Sequence, residues 1–190
     1  MAGVLIPMRK ILRAFRGDHS GSVGAEMAVV GGILAILIAQ ILDFGWMAYC
    51  SVQVRTAAQA AAAEAASLCQ EETDLPATVN CETTQSIDLQ DKMEDAANRV
   101  SIGDESVPRI VISDPSEGYF CHDATANNAL TEVGSLASPP ADCTAFGSSE
   151  EPGNYIYVTA TYTFTPMFPG LSVAGAIANP ITAQGWMRLN

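Results

Sequence analysis

The sequence is short of basic residues, and this shortage bears on its partners. Nine Lys and Arg residues stand against 21 Asp and Glu residues, which gives a formal net charge of -12. Four of the nine basic residues lie in the first sixteen positions, and nowhere in the acidic distal part do Lys or Arg residues cluster with aromatic residues, as they would in a groove for a nucleic-acid backbone. We therefore expect no nucleic-acid partner.

Paired cysteine motifs are also missing. None of the five cysteines (Cys50, Cys69, Cys81, Cys121 and Cys143) belongs to a CxxC pair, so the spacing of a zinc ribbon or of a thioredoxin-like motif is absent. Disulfide bonds are the favoured interpretation if this part of the chain is exported.

Few residues suit catalysis. No phosphate loop or lipase elbow is found, and the two histidines are His19 and His122. Cys121 and His122 are the sharpest candidate pair, but adjacent residues of an extended chain point to opposite sides. The acids Glu71, Glu72 and Asp74 lack calcium-loop spacing and are interpreted as a solvated face. We expect no catalytic residue, no metal site and no cofactor.

One long apolar segment occupies residues 27–49, interrupted only by Gln40 and Asp43. As a helix it is about 34 Å long at ~1.5 Å per residue, enough to cross a hydrocarbon core ~30 Å thick. The apolar region of a secretory signal peptide normally has only ~7–15 residues. The segment therefore predicts a membrane-spanning helix.

The charges around this segment predict its orientation. Arg9, Lys10, Arg13 and Arg16 precede it, and few basic residues follow. The positive-inside bias places the amino terminus in the cytoplasm and the acidic remainder outside an inner membrane. Lipoprotein processing at Cys50 is disfavoured because bulky Tyr49 precedes it.

The junction before the span, RGDHSGSVGAEMAVV, places Gly21 at the end of the basic leader and Glu26 five residues later. Together with Asp43-Phe44-Gly45, this segment resembles the class III signal of type IV prepilins and, within that group, the TadE and TadF minor pilins of tight-adherence systems. The resemblance covers residues 16–60. It implies cleavage by an aspartic prepilin peptidase between Gly21 and Ser22. It also implies a role in pilus assembly, surface adhesion and biofilm formation, with other pilin subunits and the tight-adherence machinery as partners.

Glu26 has two interpretations. A carboxylate at the edge of an apolar span is costly unless it is paired, and the new α-amino group of Ser22, in the same or a neighbouring chain, is a natural partner. Alternatively, Glu26 is a solvated acid in the first turn, favourable to the helix dipole. The spacing from Gly21 favours the assembly role.

A row of small residues, Gly31, Ala35 and Ala39, recurs at i+4 steps along the span and continues into Asp43. Such rows let helices approach closely in lipid, so this face is expected to pack against another transmembrane helix. The alternative is a lone anchor. Asp43 is ~26 Å along the helix from Glu26, near the far interface.

The sequence predicts three segments: a cleaved leader (1–21), the transmembrane half of the first helix (22–50) and an exported domain (51–190). In that domain the helix continues to ~69, a short helix covers ~88–100 and strands cover ~107–112, ~155–165 and ~181–189. The predicted class is α+β, a pilin-like long helix against a small antiparallel sheet of about three strands. Residues 113–153 are predicted to be a surface excursion.

Helix geometry limits the disulfide pairing. Cys50 and Cys69 would be about 28 Å apart on one helix, beyond the ~4.4–6.8 Å Cα separation that a disulfide tolerates. Cys69 and Cys81 flank one polar loop, while Cys121 and Cys143 lie in the other irregular region, so bridges 69–81 and 121–143 are predicted. Cys50 is expected as a buried thiol, with a bridge to a second chain as the alternative.

The leading functional hypothesis is a minor pilin or pseudopilin without enzymatic activity. The alternative is a permanently inserted, uncleaved single-span protein whose periplasmic part serves binding or scaffolding.

Overall fold

The structure is a computed structural model that describes residues 20–100, 110–124, 129–138, 140–177 and 179–189. It is an α+β, pilin-like arrangement in which a long amino-terminal apolar helix packs against a small, curled antiparallel sheet. The predicted fold class is confirmed. Most of the predicted leader lies outside the described residues.

The first helix, α1, comprises Ser20–Leu68, 49 residues without a break. At ~1.5 Å per residue it is about 73 Å long. Its sequence contains no proline, and its distal part is rich in alanine, the strongest helix former. The helix ends where Cys69 enters the polar loop, close to the predicted end.

Short helical segments follow α1. The turns Glu72–Asp74 and Ala77–Cys81 lead into α2, Glu82–Gln85, and then into α3, Leu89–Val100. The Asp88 carboxylate caps α3 by accepting the Asp91 N–H at 3.0 Å. This short helix agrees with the predicted segment ~88–100.

Among the described residues the sheet has five antiparallel strands: β1 (Val111–Ile112), β2 (Ser116–Asp123), β3 (Ala129–Glu132), β4 (Gly153–Tyr162) and β5 (Ile181–Arg188). Strand β4 is central. One edge of β4 pairs with β5 from residue 155 to 162, and β2 and β1 pair with its beginning and end. Strand β3 pairs with β2 alone among the described strands.

The main core lies between α1, α3 and the sheet. The distal half of α1 contributes a stripe of mostly alanine residues, α3 contributes Leu89, Met93 and Ala97, and β4 contributes alternate residues beginning with Ile156. The buried residues of α1 in this core are Cys50, Val54, Ala57, Ala58, Ala61 and Ala65. Alanine suits this position because short side chains allow the helix backbone to lie close to the sheet.

The closest approach is between Ala58 and Gly185. A Cβ atom placed on Gly185 would collide with the backbone carbonyl of Ala58. Backbone atoms cannot rotate away as a flexible side chain can. Glycine at position 185 is therefore a steric requirement of the contact between α1 and β5.

The opposite side of the sheet carries an aromatic cluster. Tyr157 stacks on Trp186 with ring centroids 4.4 Å apart, and Phe120 meets Trp186 edge-on at 5.2 Å. Such pairs contribute about 0.5–1.5 kcal/mol beyond the area they bury. The cluster joins β2, β4 and β5 across this face.

Two expectations about the strands are wrong. The sheet has five strands rather than about three, because the predicted surface excursion contains β2 and β3. The last predicted strands agree with β4 and β5, although β4 ends at Tyr162 rather than near residue 165. Of the predicted strand ~107–112, residues 107–109 lie outside the described residues, and β1 is Val111–Ile112.

Replacing Gly185 with alanine should destabilise the domain, because the new methyl group collides with the Ala58 carbonyl. Overpacking of a core typically costs about 1–3 kcal/mol. We expect the melting temperature of the full chain in detergent, followed by circular dichroism, to fall by roughly 5–10 °C. Gly45→Ala is the control, because nothing lies within 4 Å of a Cβ there. Equal melting of G185A and wild type would contradict the close packing.

Candidate functional site

From residue 23 to residue 38, α1 is exposed on every side although it is almost wholly apolar. From Val23 onward α1 is long and apolar enough to cross a membrane by length and composition, and most of that apolar stretch is uncovered by the rest of the chain. A core helix of a soluble domain would be mostly buried. This half of α1 is consistent with a single-pass membrane anchor.

The residues of the predicted processing site lie at the beginning of α1. Gly21 and Ser22 are helical, and Glu26 is exposed one turn further on. The structure gives no test of cleavage, so the cut between Gly21 and Ser22 stays a prediction.

The predicted packing row divides into two halves. Gly31 and Ala35 are exposed, and a Cβ atom on Gly31 would meet nothing within 4 Å. Ala39 and Asp43 are buried. Gly31 and Ala35 are therefore open to a neighbouring helix. Ala39 and Asp43 are covered by this chain's own connection between β4 and β5.

Asp43 is one of two polar residues in the span that hold this connection. Its side chain is 0% exposed, and its Oδ1 accepts the backbone N–H of Met167 at 2.8 Å. The second oxygen, Oδ2, is buried without a hydrogen-bond partner in the described structure.

Gln40 holds the same connection one turn earlier on α1. Its Nε2 donates to the carbonyl oxygen of Leu171, and its Oε1 accepts the N–H of Val173 at 3.2 Å. Gln40 and Asp43 together therefore form a polar clamp that attaches the β4–β5 connection to the apolar helix.

Aromatic residues lie beside the clamp. Trp46 and Tyr49 are one turn apart, and their rings stack at 5.4 Å. Such residues are typical of the membrane–water interface. The apolar groove at this level of α1 is lined by Ile41, Leu42, Gly45, Trp46, Tyr49 and Met167.

Cys50 follows on α1, and it is a free, buried cysteine. Its thiol contacts the hydroxyl of Tyr162 at the end of β4. Burial raises the pKa of Tyr162, and the neighbouring Cys50 adds to the effect. From the sequence, Cys50 is expected to be a buried thiol, and this arrangement agrees with that expectation.

Both predicted disulfides are present. Cys69 bonds to Cys81 and Cys121 bonds to Cys143, each with a Cα separation of 5.6 Å. Beside Cys143, the hydroxyl and N–H of Thr144 donate to Asp142 and lower its pKa. By restricting the unfolded chain, a disulfide that closes a segment of this length typically stabilises the fold by about 2–4 kcal/mol.

The sequence does not predict that acidic residues are buried in the distal domain. Glu117 accepts hydrogen bonds from the Thr78 N–H at 2.9 Å and from Asn154 Nδ2 at 2.7 Å, which connects the first disulfide loop to the sheet. Asp74 is fully buried and accepts from Gln85. The expectation of a solvated face is therefore wrong at Asp74, whereas Glu71 is exposed.

The Cys121–His122 pair has no thiol nucleophile, because the Cys121 sulfur is bonded to Cys143. Cys121 is buried and His122 is exposed, as the alternation along β2 requires. Within the described residues, no group of three or more His, Cys, Asp or Glu side chains is placed to hold a metal ion.

No protein-family model matches the chain, and no curated protein or solved structure matches it either.

Removing the Asp43 carboxylate should loosen the β4–β5 connection. Asp43→Ala deletes the acceptor of the Met167 N–H, and the loss of such a bond costs about 1–3 kcal/mol. We expect the protection of the Met167 amide against hydrogen exchange to fall roughly tenfold or more.

Asp43→Asn is the matched control, since its carbonyl oxygen still accepts the bond. The clamp is ruled out if the amide of Met167 is equally protected in Asp43→Ala and in wild type.

Proposed function

We propose that this chain is a minor pilin or pseudopilin of a tight-adherence (type IVc) pilus system. It is made as a precursor, cut by prepilin peptidase after Gly21, held in a bacterial inner membrane by α1 and used in pilus assembly. Its amino terminus begins in the cytoplasm and its distal domain lies in the periplasm or outside the cell. The protein catalyses no reaction, and its contribution to surface adhesion and biofilm formation comes through the pilus.

The observation that carries this proposal is the division of one continuous helix between two environments. From residue 23 to residue 38, α1 exposes apolar side chains all round, and its distal half buries an alanine stripe beneath an antiparallel sheet. Pilins are built in this way, with a membrane half and a globular half of one helix. The fold alone does not define a function, so the Gly21–Glu26 junction supplies the second support.

The exposure of Glu26 and of the inner small residues supports assembly. Gly31 and Ala35 are uncovered by this chain, so a neighbouring helix has access to both. After cleavage, the positively charged α-amino group of an incoming subunit would stabilise the Glu26 carboxylate of its neighbour. Such pairing would set the register between subunits.

A second candidate is favoured by one observation. Helix α1 begins at Ser20 and runs through Gly21 and Ser22 without interruption. A peptidase needs the bond in an extended form, so a stable helix at this point suits an uncleaved, permanently anchored protein of the periplasmic binding or scaffold type.

Amino-terminal sequencing of the protein from its host distinguishes the two candidates. A start at Ser22 is expected, and an intact leader is expected in a host that lacks the peptidase. Gly21→Leu should leave the chain inserted but unprocessed, because a bulky side chain obstructs the cut site. The control is Gly24→Leu, where nothing lies within 4 Å of the Cβ position. Wild-type protein that retains residues 1–21 in the host would support the second candidate instead.

Replacing Glu26 with alanine should permit insertion, since the change only makes the span more apolar. We expect the amount in sheared pili to fall at least several-fold relative to the amount in the membrane fraction, as immunoblots would measure. Met27→Ala, at the adjacent exposed position, is the control and should assemble normally. Equal incorporation of the Glu26→Ala and wild-type proteins would indicate that Glu26 is only a solvated acid in the first turn of the helix.

A further inference from the structure

The carboxyl-terminal part of the chain contains a long segment without charge. Asp, Glu, Lys, Arg and His are all absent from residues 152–187, although the whole chain has 21 acidic residues. The segment includes β4, β5 and the β4–β5 connection (residues 163–177 and 179–180). Strand β4 has no exposed residue, so a lack of charge there is ordinary, whereas most residues of the connection are exposed and still uncharged.

The β4–β5 connection also exposes large apolar side chains. Met167 is 59% exposed, Leu171 is 56% exposed and Ile177 is 67% exposed, and Phe168 and Val173 are exposed beside them. Five such side chains within eleven residues form a patch rather than a scatter of single residues.

The polar clamp fixes the depth of this patch along α1. The connection is bonded to Gln40 and Asp43, which precede the aromatic residue Trp46 by six and three positions. At ~1.5 Å per residue the attachment points lie about 5–9 Å inward of Trp46. If Trp46 and Tyr49 mark the outer interface, the connection lies at the depth of the first acyl-chain carbons.

The backbone of the connection is suited to a poorly hydrated site. The N–H groups of Met167 and Val173 donate to the clamp residues. Leu171 and Ser172 donate to the carbonyl of Phe168, and Ala176 donates to that of Val173. An unsatisfied backbone group is costly in the hydrocarbon core, so these bonds and the short helix Ala174–Ile177 suit the connection to the boundary of that core.

We propose that the β4–β5 connection is a second membrane contact, embedded in the outer leaflet at the boundary between headgroups and acyl chains. Elements that lie in this interface bury their apolar side chains ~5–10 Å deep, which agrees with the depth set by the clamp. The proposal requires that α1 spans the membrane, and it does not depend on a role in pili.

Lipid is a better occupant than a second copy of the chain. The connection and the exposed residues Ile41 and Leu42 of α1 form one continuous apolar surface around the groove that Met167 lines. Because this surface continues the membrane span at the same depth, lipid should surround both. A specific protein partner would also be expected to find polar or charged groups at the rim.

The test uses the full chain in lipid nanodiscs that contain a phospholipid with a diazirine in its acyl chain. After illumination, peptide mass spectrometry should find lipid adducts between Met167 and Ile177 as well as on the apolar half of α1. Val79 and Val111 are internal controls, because they are 61% and 60% exposed in the distal domain and should carry no adduct. Adducts confined to α1 would overturn the proposal, whether water or protein covers the connection.

A second measurement distinguishes burial in lipid from exposure to water. Leu171→Cys and Val111→Cys, each in a Cys50→Ala background, are labelled with a charged, water-soluble thiol reagent in the same nanodiscs. We expect the cysteine at position 171 to react at least tenfold more slowly than that at 111, and equally fast after denaturation in SDS. Native labelling rates within twofold of each other would overturn the proposal.

Discussion

The backbone contact between Ala58 of α1 and Gly185 of β5 is the constraint on which the domain depends. No side chain fits between the two elements at this point. The alanine stripe around Ala58 and the small residues of β4 and β5 follow from that spacing, because larger residues would separate helix and sheet. The contact also fixes which part of α1 is covered by protein, and hence which part is left for a membrane.

The sequence allowed prediction of the elements that carry their own signal. The apolar run, the alanine-rich continuation of α1, the capped α3 and the alternation in β4 and β5 are local patterns, and all are present. The disulfides were predictable because a continuous helix separates Cys50 from Cys69, which leaves the loop cysteines to pair with near neighbours.

Features that depend on distant residues were not predictable in the same way. Strand β2 contains Gly118 and Glu117, which are uncommon inside strands, and it is a strand because β4 and β3 pair with it. Glu117 and Asp74 look like surface acids until Thr78, Asn154 and Gln85 are brought to them. The clamp between Asp43 and Met167 joins residues 124 positions apart.

Burial of Asp43 changes what determines the depth of α1. Asp43 is the only charged residue between Glu26 and Arg55, and the β4–β5 connection removes it from the exposed surface. The uncharged exposed surface of the helix then extends over the 28 positions between Glu26 and Arg55, about 42 Å at ~1.5 Å each. A hydrocarbon core is only ~30 Å thick, so the helix alone would tolerate several depths. The aromatic pair Trp46–Tyr49 lies in the outer part of that surface, and the apolar connection is hydrogen-bonded near its middle, at Gln40 and Asp43. On the proposed membrane contact these two features select one depth, and because β4 leads directly into the connection, the same contact would fix how the sheet is held relative to the membrane.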